Sequence, residues 1–144
     1  MIVVDSCMWD YYLDPTLKEH RFVKDELEKI IQTEEILTST IIWMEVAHYL
    51  YKVSKLPRYM LEQRIENFTR LSTMTVAEFD LDLLYESLKL LSETWAYPIG
   101  GRDATILAMM RKKGIRKIFT HNKGFGELAK QGIVEVLDPI PQET

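Results

Sequence analysis

Apolar runs of two lengths alternate along the chain, and they predict strands and helices in turn. The first run, residues 1–4, is rich in β-branched residues, lacks polar alternation and ends at Asp5, which is typical of a strand buried on both faces. Four further short runs predict strands at 36–39, 73–79, 115–120 and 132–137. Strands that alternate with helices predict an α/β fold in which a parallel sheet of about five strands is covered on both faces.

The longer runs have helical spacing and lie between the predicted strands. They predict helices at 17–32, 41–51, 57–71, 81–94 and 102–113, and a short helix at 125–130. Pro57 suits a first helical position, Asp80 an N-cap and Gly114 a C-cap. The helix at 41–51 is apolar almost all round and therefore belongs in the core. The apolar and aromatic stretch at 7–12 carries no prediction of its own.

Composition indicates one globular domain spanning residues 1–144. The chain is 47% hydrophobic and 28% charged, and its formal net charge is −4, which argues against broad neutralisation of nucleic-acid phosphates. No apolar run approaches membrane-spanning length and no signal peptide is recognisable, so we expect a cytoplasmic protein without membrane association. Cys7 is the only cysteine, which excludes an internal disulfide and a cysteine-based zinc site.

Three carboxylates interrupt stretches that otherwise look suited to burial. They are Asp5, Glu45 and Asp103, and an ionised carboxylate is costly to bury without a partner. Strand ends and the helix starts that follow them lie on one edge of a parallel sheet, so Asp5, Glu45 and Asn122 should meet there. Asp103 can join them if its helix runs away from that edge.

Clustered carboxylates repel one another unless a cation holds them. Oxygen ligands without cysteine or paired histidines suit Mg²⁺ or Mn²⁺ better than Zn²⁺. Such a site performs phosphoryl chemistry, so the pattern indicates metal-dependent phosphodiester hydrolysis. From the residues alone, the alternative stays open that these are separate acids, each capping a helix or pairing with a cation.

Four segments and the C-terminal strand together resemble the PIN domain family, and in particular the VapC-like toxin ribonucleases of VapBC-type toxin–antitoxin pairs. The segments are Met1-Ile-Val-Val-Asp5-Ser6, the helix around Glu45, Asp103-Ala-Thr-Ile-Leu-Ala and Ile118-Phe-Thr-His-Asn122-Lys-Gly-Phe. The resemblance implies a three-layer α/β/α sandwich with a central parallel sheet. It also implies Mg²⁺- or Mn²⁺-dependent endonucleolytic cleavage of RNA, a homodimer and an antitoxin protein that restrains the activity.

The resemblance also assigns roles to residues. Asp5, Glu45 and Asp103 match the metal-binding acids, and Ser6 and Thr120 match small hydroxyl positions that in the family support the acids or a metal-bound water. Because they flank Asp103 and Asn122, the cations Arg102 and Lys123 are candidates for contacts with substrate phosphates.

Asn122 departs from the family pattern, which usually has a fourth acid at this position. An amide can ligate through its carbonyl but adds no charge, so a second metal would bind more weakly. Glu127 lies a full turn beyond and is not expected to replace it.

Because the fourth acid is missing, a catalytically weakened domain that binds RNA or a protein is an alternative function. A phosphoacceptor role for Asp5 is disfavoured, because an adjacent acidic pair and a lysine ending the fifth strand are both missing.

Overall fold

The five strands form one parallel sheet, as the sequence predicts. A computed structural model describes residues 1–142, and the positions at 143–144 of the predicted domain lie outside the described residues. The strands are β1 Ile2–Val4, β2 Ile36–Ser39, β3 Met74–Ala77, β4 Lys117–Phe119 and β5 Glu135–Leu137. Their order in the sheet is β3-β2-β1-β4-β5, and every pairing is parallel. The last three strands are shorter than the runs that predict them.

Helices fill the connections between the strands. They are α1 Ser6–Leu13, α2 His20–Thr33, α3 Thr40–Val53, α4 Arg58–Thr69, α5 Leu81–Glu93, α6 Gly101–Lys113 and α7 Lys123–Lys130. The sequence prediction missed α1, because Asp5 both follows the first strand and caps this helix by accepting a hydrogen bond from the backbone of Ser6. Pro57 has extended backbone and is the N-cap of α4, one position before the predicted one. Asp80 and Gly114 cap α5 and α6 as predicted.

The strand order creates a crevice between β1 and β4. Right-handed connections place α1 to α4 on one face of the sheet and α5 to α7 on the other, in agreement with the contacts of α1 with α2 and α3 and of α5 with α6. The connections that follow β1 and β4 therefore leave towards opposite faces, which is where ligands bind in open α/β sheets. Val4 pairs with Phe119, so the residues that follow these strands, Asp5 and Thr120, are neighbours at this edge.

Aromatic rings pack α1, α3 and α4 against one another. The ring of Trp9 lies 4.8 Å from that of Trp43 and 5.2 Å from that of Phe68, measured between centroids. Trp9 and Trp43 are buried, and α3, which this packing positions, also carries Glu45. Among residues 1–142, no helix combines the length and the apolar character needed to cross a membrane.

Candidate functional site

The three predicted acids converge at the crevice, and the guanidinium of Arg102 lies among them. Its Nη1 lies 2.8 Å from Asp5 Oδ1 and 3.3 Å from Glu45 Oε1, and its Nη2 lies 2.8 Å from Asp103 Oδ1. These contacts join β1, α3 and α6 at one point. The three acids therefore meet at this edge, as the topology predicts. The direction of the Arg102 side chain, into the cluster, was not predicted.

Asp5 has the most buried carboxylate of the site and uses both of its oxygens. Only 1% of the residue is exposed. Its Oδ1 accepts hydrogen bonds from Ser6 N and Arg102 Nη1, and its Oδ2 accepts one from Thr120 Oγ1, each at 2.8 Å. Asp5 thus caps α1 and also takes part in the cluster. The hydroxyl of Thr120, which is fully buried, fixes the orientation of the carboxylate.

Asn122 supports Asp103 from the end of β4. Its Nδ2 donates a hydrogen bond to Asp103 Oδ1 at 3.3 Å, and its Oδ1 accepts one from Gly124 N at 2.8 Å, which caps α7. A Cβ on Gly124 would lie 2.5 Å from the carbonyl oxygen of Pro98, so a side chain there would press on the loop that leads into α6. The amide therefore presents its donor to the acids, whereas the sequence analysis considered its carbonyl oxygen as a ligand.

The acids carry more negative charge than the single guanidinium compensates. Burial raises the pKa of Glu45, and Asp5 and Asp103 add to this effect against the lowering influence of Arg102. Burial likewise raises the pKa of Asp103, with Arg102 opposing and Asp5 adding to the shift. Burial alone would lower the pKa of Arg102, but the three carboxylates outweigh it and raise that pKa. The site therefore favours additional positive charge.

Asp10 is an acid of this region that the sequence analysis missed. It lies on α1, and its Oδ1 is shielded from solvent without a hydrogen-bond partner among the described residues. Burial, with added repulsion from Glu45, Asp5 and Asp14, raises the pKa of Asp10 to about 8. The signal that could have revealed it is the one that revealed Asp5: a carboxylate that interrupts an apolar run.

The donor set fits a hard divalent cation. The oxygens that meet Arg102 are all carboxylate oxygens, which Mg²⁺ and Mn²⁺ prefer. Glu45 Oε1 is buried and has no directed hydrogen bond among the described residues, although it lies in ion-pair range of Arg102. Within residues 1–142, no group of three or more His, Cys, Asp or Glu side chains is arranged as ligands of a single ion. The carboxylates instead surround the guanidinium.

The other predicted residues occupy the margin of the site. Ser6 is buried next to Asp5 and contributes its backbone amide, whereas Lys123 is exposed at the first turn of α7, beside the site. Glu127 contacts Lys130 through an exposed ion pair at 3.0 Å and does not reach the acids. Cys7 lies near Thr120, and burial raises the pKa of its thiol to about 12, which keeps it protonated.

Comparison with known proteins identifies the fold. Residues 2–131 match the family described as PIN domain. VapC20 of Mycobacterium tuberculosis, described as a toxin that cleaves the sarcin-ricin loop, is 20% identical with a TM-score of 0.75, over 94% of this chain and 98% of that one. A toxin–antitoxin complex from Klebsiella pneumoniae contains a chain that is 26% identical with a TM-score of 0.66, over 99% and 100% of the two chains. FitAcB from Neisseria gonorrhoeae is 21% identical with a TM-score of 0.71, over 96% and 98%. Comparison with curated proteins gives no significant match.

Proposed function

This chain belongs to the PIN domain family, and on that premise we propose that it is a Mg²⁺- or Mn²⁺-dependent endoribonuclease that acts as the toxin of a toxin–antitoxin pair. The observation that carries the proposal is that oxygens from Asp5, Glu45 and Asp103 all contact the guanidinium of Arg102 in the crevice. Solved structures with the same fold are described as toxins or toxin–antitoxin complexes, which supports the biological role.

Each residue of the site has a separate proposed role. Asp5, Glu45 and Asp103 would hold a divalent cation, and the cation would supply Lewis-acid chemistry for phosphodiester hydrolysis. Thr120 and Asn122 orient Asp5 and Asp103 through the hydrogen bonds described above.

RNA would be held mainly at the margin of the site. Lys123 is exposed beside Asn122 and can contact a phosphate, and Arg102 can do so once its guanidinium faces outwards. The formal net charge of −4 leaves little general attraction to RNA. We therefore expect modest RNA affinity that depends on these local cations and on the metal.

The groove between α3 and α4 is the place we propose for the antitoxin. This cavity of about 520 Å³ is lined by apolar side chains that include Trp43, Met44 and Ile65, with Glu62 and Glu66 at its side. Met44 is 70% exposed. An antitoxin segment that combines apolar side chains with basic ones would complement this groove.

A second copy of this chain would cover the outer face of α5. Leu81, Leu84, Tyr85 and Leu88 follow helical spacing and are exposed, whereas Leu83, Ser87 and Leu90 face the core. Trp95 lies in the turn that follows α5 and is 75% exposed. A soluble protein rarely leaves such a continuous stripe uncovered, so we propose that it is a homodimer interface.

Charge favours a second copy as the occupant of this face. Asp82 and Lys89 lie seven residues apart on the same flank of the α5 stripe, and both are exposed, with Lys89 also contacting Glu86 of its own helix at 3.3 Å. When two copies of a helix pack antiparallel about a two-fold axis, the same flank of each copy meets its counterpart. Asp82 would then face Lys89 of the partner subunit, and this pairing would occur twice.

The alternative is a weakened PIN domain that binds RNA or a protein without cleaving it, and the observation that favours it is the amide at Asn122. The test is cleavage of a mixed RNA pool by the wild type and by Asn122→Asp, with Mn²⁺, with Mg²⁺ and with EDTA. The proposal expects cleavage by the wild type with either metal and none in EDTA. Activity confined to Asn122→Asp would support the binding module. Inactivity of both folded proteins would contradict the nuclease assignment.

A further inference from the structure

Arg102 contacts the very oxygens that the proposed function assigns to the metal. Its guanidinium reaches Asp5 Oδ1, Glu45 Oε1 and Asp103 Oδ1. Of the described cations, Arg102 is the one in ion-pair contact with all three acids. A guanidinium keeps its charge at any pH at which proteins fold, so this contact does not switch off by deprotonation.

The guanidinium and a divalent cation would compete for these oxygens. A Mg²⁺ ion binds oxygen at about 2.0–2.1 Å and demands near-octahedral geometry. Arg102 Nη1 and Nη2 lie 2.8 Å from two of the same atoms. A bound ion would therefore stand within contact distance of a like charge and would have to share its ligands with N–H donors, which are themselves partly positive.

The side chain of Arg102 can leave without a change of fold. It projects from the first turn of α6 on a flexible stem, and 27% of the side chain is exposed, so a path to solvent exists. Asp5 keeps its hydrogen bonds from Ser6 and Thr120, and Asp103 keeps the one from Asn122, when the guanidinium departs. The acids would therefore stay in place.

We propose that Arg102 is a built-in competitor of the divalent cation: it neutralises the acid cluster, and metal binding must displace it. This inference rests on the proposed function, because it concerns the same site. It predicts that the protein binds metal more weakly than its three acids alone would allow. Arg102 would thus set the metal concentration at which the site fills.

The test is calorimetric titration of Mn²⁺ into the full chain, with the wild type compared with Arg102→Gln. The glutamine keeps a polar side chain but removes the charge. We expect the variant to bind Mn²⁺ about tenfold more tightly or more, within the range of roughly 5- to 150-fold that couplings between two ligands usually span. Arg111→Gln is the control, because Arg111 lies on the same helix and contacts Glu93 at 2.9 Å, away from the acids. Its affinity for Mn²⁺ should equal that of the wild type.

Thermal unfolding provides a second readout that does not depend on activity. Without Mn²⁺, Arg102→Gln should melt below the wild type, because three buried or half-buried carboxylates lose their counterion. With Mn²⁺, its melting temperature should rise by more than that of the wild type. If Arg102→Gln does not fold without metal, Arg102→Lys replaces it, since one ammonium cannot contact all three acids and should give intermediate affinity.

The outcomes separate the two proposals. Equal Mn²⁺ affinity of the wild type and Arg102→Gln, or weaker binding by the variant, would overturn the competition while leaving the metal site intact. If neither the wild type nor Arg102→Gln binds Mn²⁺, the proposed function itself is contradicted.

Discussion

Arg102 Nη1 lies 2.8 Å from Asp5 Oδ1, although 97 positions separate the two residues in the chain. This ion pair joins the end of the first strand to the start of α6, across the edge where the strand order reverses. Asp5 is 1% exposed, so the contact is shielded from water. The guanidinium of Arg102 thus lies where the family resemblance predicts a divalent metal ion. In the proposed mechanism, the metal ion must replace this guanidinium before the site can act.

The hydroxyl of Thr120 should stabilise the protein through its hydrogen bonds with Asp5 and with the backbone of Asn122. Thr120→Val leaves Asp5 Oδ2 and the backbone amide of Asn122 without this partner. We expect the free energy of unfolding to fall by about 1–3 kcal/mol, the usual cost of an unsatisfied buried group. Urea denaturation followed by circular dichroism measures the change.

Thr38→Val is the matched control for this experiment. Thr38 is also fully buried, but its hydroxyl has no hydrogen-bond partner among the described residues. Replacing it by valine should leave the stability unchanged or increase it. Equal losses in the two variants would mean that the hydrogen bonds of Thr120 contribute nothing specific.

Asp10 should make the stability of the metal-free protein fall as the pH rises. The pKa of this residue is about 8 in the folded protein, against about 3.9 in an unfolded chain. A raised acid pKa stabilises the fold fully below the unfolded value, and this contribution is lost as the pH rises through the folded value. We therefore expect the free energy of unfolding in EDTA to decline between about pH 4 and pH 8.

Asp10→Asn tests this assignment, because an amide is neutral throughout the range. The variant should lose less stability than the wild type between pH 5 and pH 8, as measured by urea denaturation in EDTA. Asp25→Asn, at an exposed position of α2, should retain the wild-type pH dependence. If the free energy of unfolding falls equally with pH in Asp10→Asn and in the wild type, Asp10 does not titrate as described.

The outer face of α5 should mediate self-association. Leu88 is 54% exposed within the stripe, and Leu88→Glu would place a charge in each copy of this apolar interface. We expect a dimer for the wild type and a monomer for this variant in size-exclusion chromatography with light scattering. Tyr59→Glu, at a residue that is 69% exposed on α4, should remain dimeric.

Charge reversal tests the antiparallel arrangement of α5. Asp82→Lys or Lys89→Asp alone should weaken the dimer, and the two together should restore it. A wild type that stays monomeric at every concentration would rule out this interface. A dimer that none of these changes affects would place the interface elsewhere on the surface.

The sequence was sufficient to predict the sheet because buried parallel strands have an unmistakable pattern. Ile2–Val4 is a continuous apolar run, Ile36–Ser39 is apolar or β-branched up to its last residue, and the two strands lie next to each other in the sheet. Helix α1 was missed because its eight residues follow the strand with only Asp5 between them. A single residue that ends one element and caps the next gives no separate helix signal.

The convergence of the acids could be predicted, but their contacts could not. Topology places the residues that follow β1 and β4 at one edge, which brings Asp5 close to Thr120 and Asn122. Whether Arg102 points outwards or towards the acids depends on its rotamer and on the start of α6, which the sequence pattern does not determine. The sequence also does not determine whether the amide of Asn122 turns its NH₂ group or its carbonyl oxygen towards the acids.

The proposed role of Glu45 as a metal ligand is tested most directly by Mn²⁺-dependent RNA cleavage by Glu45→Gln, with thermal stability measured on the same preparation. Burial raises the pKa of Glu45, so the neutral glutamine should not destabilise the fold and can stabilise it. Loss of even an indirect partner of a metal ligand costs roughly 10- to 100-fold, so loss of a ligand should lower cleavage by more than about 100-fold. Glu26→Gln, at an exposed position of α2, serves as the control. We expect Glu45→Gln to be at least as stable as the wild type and inactive, and wild-type cleavage by this variant would rule out the proposed metal site.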